Sequence, residues 1–146
     1  MTEAAAHDVP LPASHLDLLE RPVVGVMTTL GPDGAPASSL VWLDHDGTCV
    51  RVNTTLERRK GRDVSRDPRV SVLVVDPDDT SRFMQVRGVA ELVSDGAEAH
   101  LDTLTRRYTP HPAFYGHVYP QRRRDEETRV ICRIHPRRVT LDAIHR

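Results

Sequence analysis

Short runs of β-branched residues, cut by proline-, glycine- and aspartate-rich turns, constrain this chain more than any other feature. Val23 to Leu30 runs into Gly31-Pro32-Asp33-Gly34. Pro36 to Leu43 stops at Asp44-His45-Asp46-Gly47, and Thr48 to Asn53 follows at once. Arg69 to Val75 stops at Asp76-Pro77-Asp78-Asp79, and Arg82 to Val93 comes next. Connections this short join antiparallel neighbours, because a parallel pair needs a long crossover. Val70 to Val75 is apolar on both faces, which predicts an internal strand. Gly88 sits where a bulge or bend is expected. Thr128 to His135 is the last full strand, and Val139 to Ile144 adds a short one.

Helices are interleaved. Ser14-His15-Leu16-Asp17 has the look of a capped helix start, and Arg21-Pro22 stops it. Thr54 to Arg66 reads as a helix, with Thr54 and Glu57 at capping-box spacing. Asp95 to Tyr108 reads as another, with Leu101 and Leu104 inward. Met1 to Pro12 reads as a loose arm. The expected architecture is mainly β: six antiparallel strands curled into a small barrel with a few flanking helices, since closure removes exposed sheet edges.

Length and charge narrow the function. The chain has 146 residues, which predicts a single domain over 1–146. A net charge of -1 excludes a bulk polycation made for nucleic acid. Arg122-Arg123-Arg124 is followed by Asp125-Glu126-Glu127, so that run neutralises itself. No apolar run approaches a membrane span, and Met1 to Pro10 lacks the apolar stretch of a secretory signal. Cys49 and Cys132 form no CxxC pair and are expected to be reduced, in a cytoplasmic protein. The eight histidines are scattered with no zinc spacing, so no metal site is expected. No nucleophile elbow, metalloprotease helix, phosphate loop or dinucleotide fingerprint occurs, and no catalytic residue is singled out.

The densest chemical signal is Thr54-Thr55-Leu56-Glu57-Arg58-Arg59-Lys60-Gly61-Arg62, where a strand hands over to a helix. A helix start with arginine forks and threonine hydroxyls suits an anion. The competing reading is a solvated helix with i,i+4 ion pairs. A second concentration lies further on. Of six aromatic residues, four (Tyr108, Phe114, Tyr115 and Tyr119) fall in one stretch with His111 and His117. That stretch could wall a substrate pocket or cover a cofactor ring; equally it could plug a dimer interface.

The order of these pieces resembles the pyridoxamine 5'-phosphate oxidase-like family, the split β-barrel flavin and deazaflavin reductases. The resemblance covers Val23 to Val93, with a weaker match through Thr128 to Leu141. It rests on Asp33-Gly34-Ala35-Pro36-Ala37-Ser38-Ser39-Leu40-Val41-Trp42 and on Asn53-Thr54-Thr55-Leu56-Glu57-Arg58-Arg59-Lys60-Gly61. It rests also on Asp67-Pro68-Arg69-Val70-Ser71-Val72-Leu73 and Gln85-Val86-Arg87-Gly88-Val89-Ala90-Glu91-Leu92.

The resemblance implies a cofactor site. Arg59 and Lys60 match the basic pair that holds the cofactor phosphate, with Arg58 beside them. Asn53 and Thr54, with Thr55 next to them, match residues at the phosphate or ribityl chain. Ser39, Leu40, Val41 and Trp42, carried with Ser38, match the strand beside the isoalloxazine ring. The flavin oxidases begin that strand with an arginine where this chain has Ser39, which argues against FMN and against true pyridoxamine phosphate oxidase activity. The closer likeness is to the actinobacterial deazaflavin branch. An arginine-rich composition, 19 of 20 basic residues, fits a GC-rich source.

The resemblance therefore implies coenzyme F420, with FMN as the alternative, and hydride transfer to a small unsaturated or conjugated substrate. It also implies a homodimer with the cofactor at its interface. A non-catalytic carrier of a flavin, F420 or haem is the reading from another class. In the reductases the cofactor performs the hard step, so no triad is required.

Overall fold

The computed structural model describes residues 7–142. Seven strands form one sheet: β1 (Gly25–Leu30), β2 (Pro36–Val41), β3 (Leu43–His45), β4 (Val50–Thr55), β5 (Arg69–Val75), β6 (Phe83–Val93) and β7 (Arg129–Leu141). Two α-helices accompany them, α1 (Arg59–Arg66) and α2 (Ala97–Tyr108), with 3-10 segments at Ala13–Leu19 and Gln121–Glu126. The strand order is β2-β1-β5-β6-β7-β4-β3, and every pair is antiparallel.

The strand count differs from the expected six because Pro36 to Leu43 breaks at Trp42 into β2 and β3. These two segments pair at opposite ends of the sheet, β2 on β1 and β3 on β4. Only Trp42 separates them, so Val41 and Leu43 lie within about 7.6 Å, two peptide steps. The two sheet edges must therefore come together at Trp42, and the sheet is curled into a split barrel. Its interior is filled by Met27, Leu43, Val50, Val52, Val72, Val74, Met84, Val86, Cys132 and Ile134. β5 is internal, as expected, between β1 and β6.

Gly88 marks a register shift in the β6–β7 ladder. A Cβ there would stand 2.0 Å from the His135 carbonyl oxygen, so no larger residue fits without backbone movement. Pro136 pairs opposite Gly88, and this irregularity tolerates the missing N–H. The expected break after His135 is absent: β7 runs unbroken to Leu141. Residues 143–146, including the end of the expected Val139–Ile144 strand, lie outside the described residues.

The helix starts differ too. Thr54 and Thr55 belong to β4, paired with Val130 and Arg129 of β7, and α1 begins only at Arg59. The capping box does not form. Glu57 Oε1 accepts from the Thr128 N–H at 2.7 Å, and Arg58 N–H donates to Thr55 Oγ1 at 3.1 Å. The segment near Ser14 is 3-10 with Pro12 as its N-cap, and Ser14 Oγ meets His15 Nδ1 instead of capping. The described part of the arm is held: Val9 N–H donates to the Pro136 oxygen at 2.8 Å, and Leu11 joins the core. Residues 1–6 of that arm lie outside the described residues. Among the described residues no helix is long and apolar enough to cross a membrane.

Candidate functional site

Where the barrel edges meet, Trp42 turns to the aromatic stretch after α2. Its ring stacks on Tyr108 at 5.5 Å and meets Phe114 edge-on at 6.5 Å. Phe114 in turn stacks on Tyr119 at 5.7 Å. Leu101, Phe114 and Tyr115, with Trp42 and Tyr119 packed against them, form a second small core beside the barrel. Between it and the start of α1 lies a cleft of about 370 Å³. Val24, Leu40, Val41, Trp42, Leu101, Leu104, Phe114 and Val118 supply its apolar walls. Arg58, Lys60, Arg129 and Asn53 supply its charged and amide side chains.

The apolar walls are incompletely covered. Leu40 is 74% exposed, Val24 49% and Val118 39%. The aromatic stretch thus walls the cleft through Phe114 and Val118. His111 and His117 are exposed, with ring centroids 6.0 Å apart, and do not line it.

The cations set the electrostatics. Among the described residues, no carboxylate lies within 4.0 Å of Lys60 Nζ. Burial pushes the Lys60 ammonium below its ordinary pKa, and the positive charges of Arg58, Arg59 and Arg129 add to that. Burial likewise disfavours the charge of Arg129, whose side chain is 7% exposed. Among the described residues, Glu127 is the carboxylate paired with Arg58 and Arg129, and Glu57 lies near enough to feel the charge of Arg129. Glu127 stands 3.3 Å from Arg58 Nη2 and 3.4 Å from Arg129 Nη1, and it accepts the Tyr115 hydroxyl at 2.7 Å. Arg58, Lys60 and Arg129 against Glu127 and Glu57 leave a local excess of positive charge facing the cleft.

The expected site residues therefore divide. Leu40, Val41, Trp42, Asn53, Arg58 and Lys60 come together around the cleft. Arg59 does not: its Nη1 donates to Asp63 Oδ2 at 2.7 Å and reaches Thr29 Oγ1 at 3.3 Å. Ser38 hydrogen-bonds Thr28 on the outer face of β2 at 2.8 Å. Thr55 is fully buried and holds the Arg58 N–H. Thr54 lies on the face of β4 shared with Val50 and Val52, which enters the core. The Oγ atoms of Thr54 and Ser39 are buried without a hydrogen-bond partner among the described residues.

Gly61 explains why the basic run is seated this way. A Cβ there would lie 1.9 Å from the Thr55 carbonyl oxygen, so only glycine lets α1 rest directly on the end of β4. That close seat puts Lys60 toward the cleft and Arg59 toward Asp63.

Sequence reasoning missed Arg129. The available signal was a lone arginine in the apolar run Thr128-Arg129-Val130-Ile131-Cys132, a charge where the strand pattern calls for a core residue. The Tyr108 and Tyr115 hydroxyls are not spare proton sources. Tyr108 donates to the Val23 carbonyl at 2.7 Å. Burial and its bond to Glu127 push the Tyr115 hydroxyl up to about 12.

The sequence profile of the pyridoxamine 5'-phosphate oxidase family matches residues 11–141. Among solved structures, one named F420 reductase is 32% identical over 89% of this chain and 98% of its own, with a TM-score of 0.75. A conserved hypothetical protein of Mycobacterium tuberculosis is 29% identical over 94% of this chain and 87% of its own, with a TM-score of 0.71. A Listeria innocua protein named as a candidate pyridoxamine 5'-phosphate oxidase is 24% identical, covers 88% and 94% of the two chains with a TM-score of 0.64, and shows the shared fold alone. With nearly all of the barrel inside the matched span, the chain belongs to the pyridoxamine 5'-phosphate oxidase-like split-barrel family.

Proposed function

We propose that the cleft holds a phosphorylated flavin-type coenzyme and that the protein is an oxidoreductase using F420. Its substrate would be a small unsaturated or conjugated compound. The observation that carries this reading is the pairing of under-compensated cations with apolar walls in one cleft. Arg58, Lys60 and Arg129 suit phosphate oxygens, and Leu40, Val41, Trp42 and Phe114 suit a flat ring. The residues present thus fit the coenzyme, and the likeness to a protein named F420 reductase favours the deazaflavin over FMN. When bound, a reduced deazaflavin supplies a hydride. The chain's own residues bind, orient and keep water from the ring face.

Exposed Leu40, Val24 and Val118 on the cleft wall favour a second copy of the chain closing the site, which makes the working unit a homodimer. The two buried free cysteines fit a reducing compartment such as the cytoplasm. Titration of F420 and FMN, followed by coenzyme fluorescence, tests the cofactor; turnover of an electron-poor enone with reduced F420 tests the reaction. We expect F420 to bind more tightly than FMN, and reduced F420 to be oxidised as the enone is reduced. Binding of neither coenzyme sinks the reading, and binding of F420 without turnover of any unsaturated acceptor leaves a carrier in its place.

A further inference from the structure

A chain of largely buried hydrogen bonds runs from the edge strand β3 to the cleft. It begins at Asp44 in β3, whose two oxygens accept from Arg51 Nε at 2.9 Å and Nη2 at 2.8 Å. His100 in α2 places Nε2 3.0 Å from Asp44 Oδ1 and Nδ1 3.1 Å from Asn53 Nδ2. Asn53 Nδ2 also donates to the Ala97 carbonyl at 2.7 Å. Asn53 Oδ1 accepts from Arg129 Nε at 2.9 Å and Nη2 at 2.7 Å.

Each link has a forced direction. Burial favours the neutral form of Asp44, yet hydrogen bonds from His100 and Arg51 prevail and hold its carboxyl below the ordinary range. A carboxylate only accepts, so His100 Nε2 carries the hydrogen; the atom facing Nδ1 is the Asn53 nitrogen, which only donates, so Nδ1 meets it with a lone pair. The Asn53 amide nitrogen spends its hydrogens on that lone pair and on the Ala97 carbonyl. Its oxygen is thereby turned to Arg129, which only donates.

His100 is not required to neutralise Asp44, because Arg51 already grips both carboxylate oxygens. What His100 supplies is the second acceptor, beside the Ala97 carbonyl, that settles the Asn53 amide. Arg129 has few other constraints. Glu127 stands 3.4 Å from its Nη1, and Phe114 lies under the guanidinium at 5.4 Å.

We infer that His100, with Asp44 behind it, is a positioning residue for the cleft: it fixes Asn53, and Asn53 sets the Arg129 guanidinium so that its remaining N–H groups face the anionic part of the ligand. This rests on the coenzyme reading above. A fixed guanidinium loses less freedom when an anion arrives, so the gain appears as affinity.

The test compares His100→Leu, His100→Asn and His100→Gln with the wild type, in the full chain. Glutamine can donate to Asp44 and accept from Asn53; leucine does neither, and asparagine is too short to reach both. FMN and F420 are titrated into each protein. The Arg129 Nε–H resonance is followed by nitrogen-15 NMR without ligand. We expect roughly tenfold weaker coenzyme binding and loss of the protected Nε–H signal in His100→Leu and His100→Asn, with both properties restored to within about threefold in His100→Gln. Should His100→Leu not fold, His100→Asn against His100→Gln carries the same contrast. Equal weakening in all the variants, or wild-type affinity and signal in His100→Leu, overturns the inference. If the wild type binds neither coenzyme, the cofactor reading fails by itself and the ligand-free resonance still decides the positioning role.

Discussion

Arg59 and Lys60 are neighbours in sequence, yet they stand in two different electrostatic worlds. Arg59 faces the buried carboxylate of Asp63, which also accepts from Thr29 Oγ1 at 2.9 Å and Arg66 Nη2 at 2.8 Å. Burial would raise the Asp63 pKa, but those donors hold it down. Lys60, one residue on, has cations for company and, among the described residues, no ion-pair partner. The first arrangement is satisfied and serves the fold. The second is unsatisfied and, on the coenzyme reading proposed above, serves a ligand. A run of basic residues is thus not a site in itself; what marks a site is positive charge that the protein has partly buried and left uncompensated.

The comparison depends on how α1 is seated, so its largest test is Gly61→Ala. The added Cβ meets the Thr55 backbone oxygen, which cannot swing aside. We expect a loss of about 3 kcal/mol in urea denaturation, together with impaired coenzyme binding, because α1 must lift and carry Lys60 with it. Stability near that of the wild type would mean that the seat on β4 is not what separates the two residues.

Next comes the cleft side alone. Removing both Arg58 and Lys60 as alanines should weaken F420 or FMN binding roughly a hundredfold, about tenfold for each charge-assisted contact. The same double variant should not be destabilised by more than about 1 kcal/mol, since Arg58's bond to Glu127 is exposed and loss of Lys60 relieves repulsion. Unchanged affinity measured by fluorescence titration would move the anion site elsewhere.

How far these two worlds could be read from sequence follows from range. Turns such as Gly31-Pro32-Asp33-Gly34 and the bulge at Gly88 are local backbone signals, and they appear where expected. The break at Trp42 is not local. It exists because β2 pairs with β1 and β3 with β4, at the two edges of the sheet. Thr54 and Glu57 carry a local capping pattern, but pairing with Val130 and Arg129 keeps the chain extended through Thr55, so tertiary contacts override it. The resemblance named the basic run as the anchor, yet nothing in the run itself tells Arg59 from Lys60. That choice is made by Gly61 against Thr55 and by Asp63 below. Arg129 escaped notice for the same reason, since it reaches the cleft only through the pairing of β7 with β4.

On the satisfied side, Arg59→Ala should leave coenzyme affinity within about twofold and cost about 1 kcal/mol of stability. Asp63 keeps Arg66 and Thr29, and the half-exposed Arg59 guanidinium is screened by water. A tenfold loss of affinity in this variant would return Arg59 to the anchor and erase the contrast with Lys60.

The smallest effect reads the unsatisfied side without any ligand. Burial and neighbouring cations place the Lys60 pKa in the folded chain below the ordinary value of 10.5. Below the lowered value both states are protonated, and the folded chain carries the full cost of the buried charge. Between the lowered value and 10.5 the unfolded chain binds the proton more tightly than the folded one, so stability rises with pH in that window. Lys60→Met has no such charge. It should therefore be more stable than the wild type at neutral pH, by less than about 1 kcal/mol, with the gap closing as pH climbs towards 10.5. Saturating FMN at neutral pH should act on the wild type in the same direction, because a bound phosphate supplies the counter-charge that the protein withholds. A wild-type-minus-variant difference that stays flat across that window would place the Lys60 ammonium in water, and the two neighbours would then differ only in their partners.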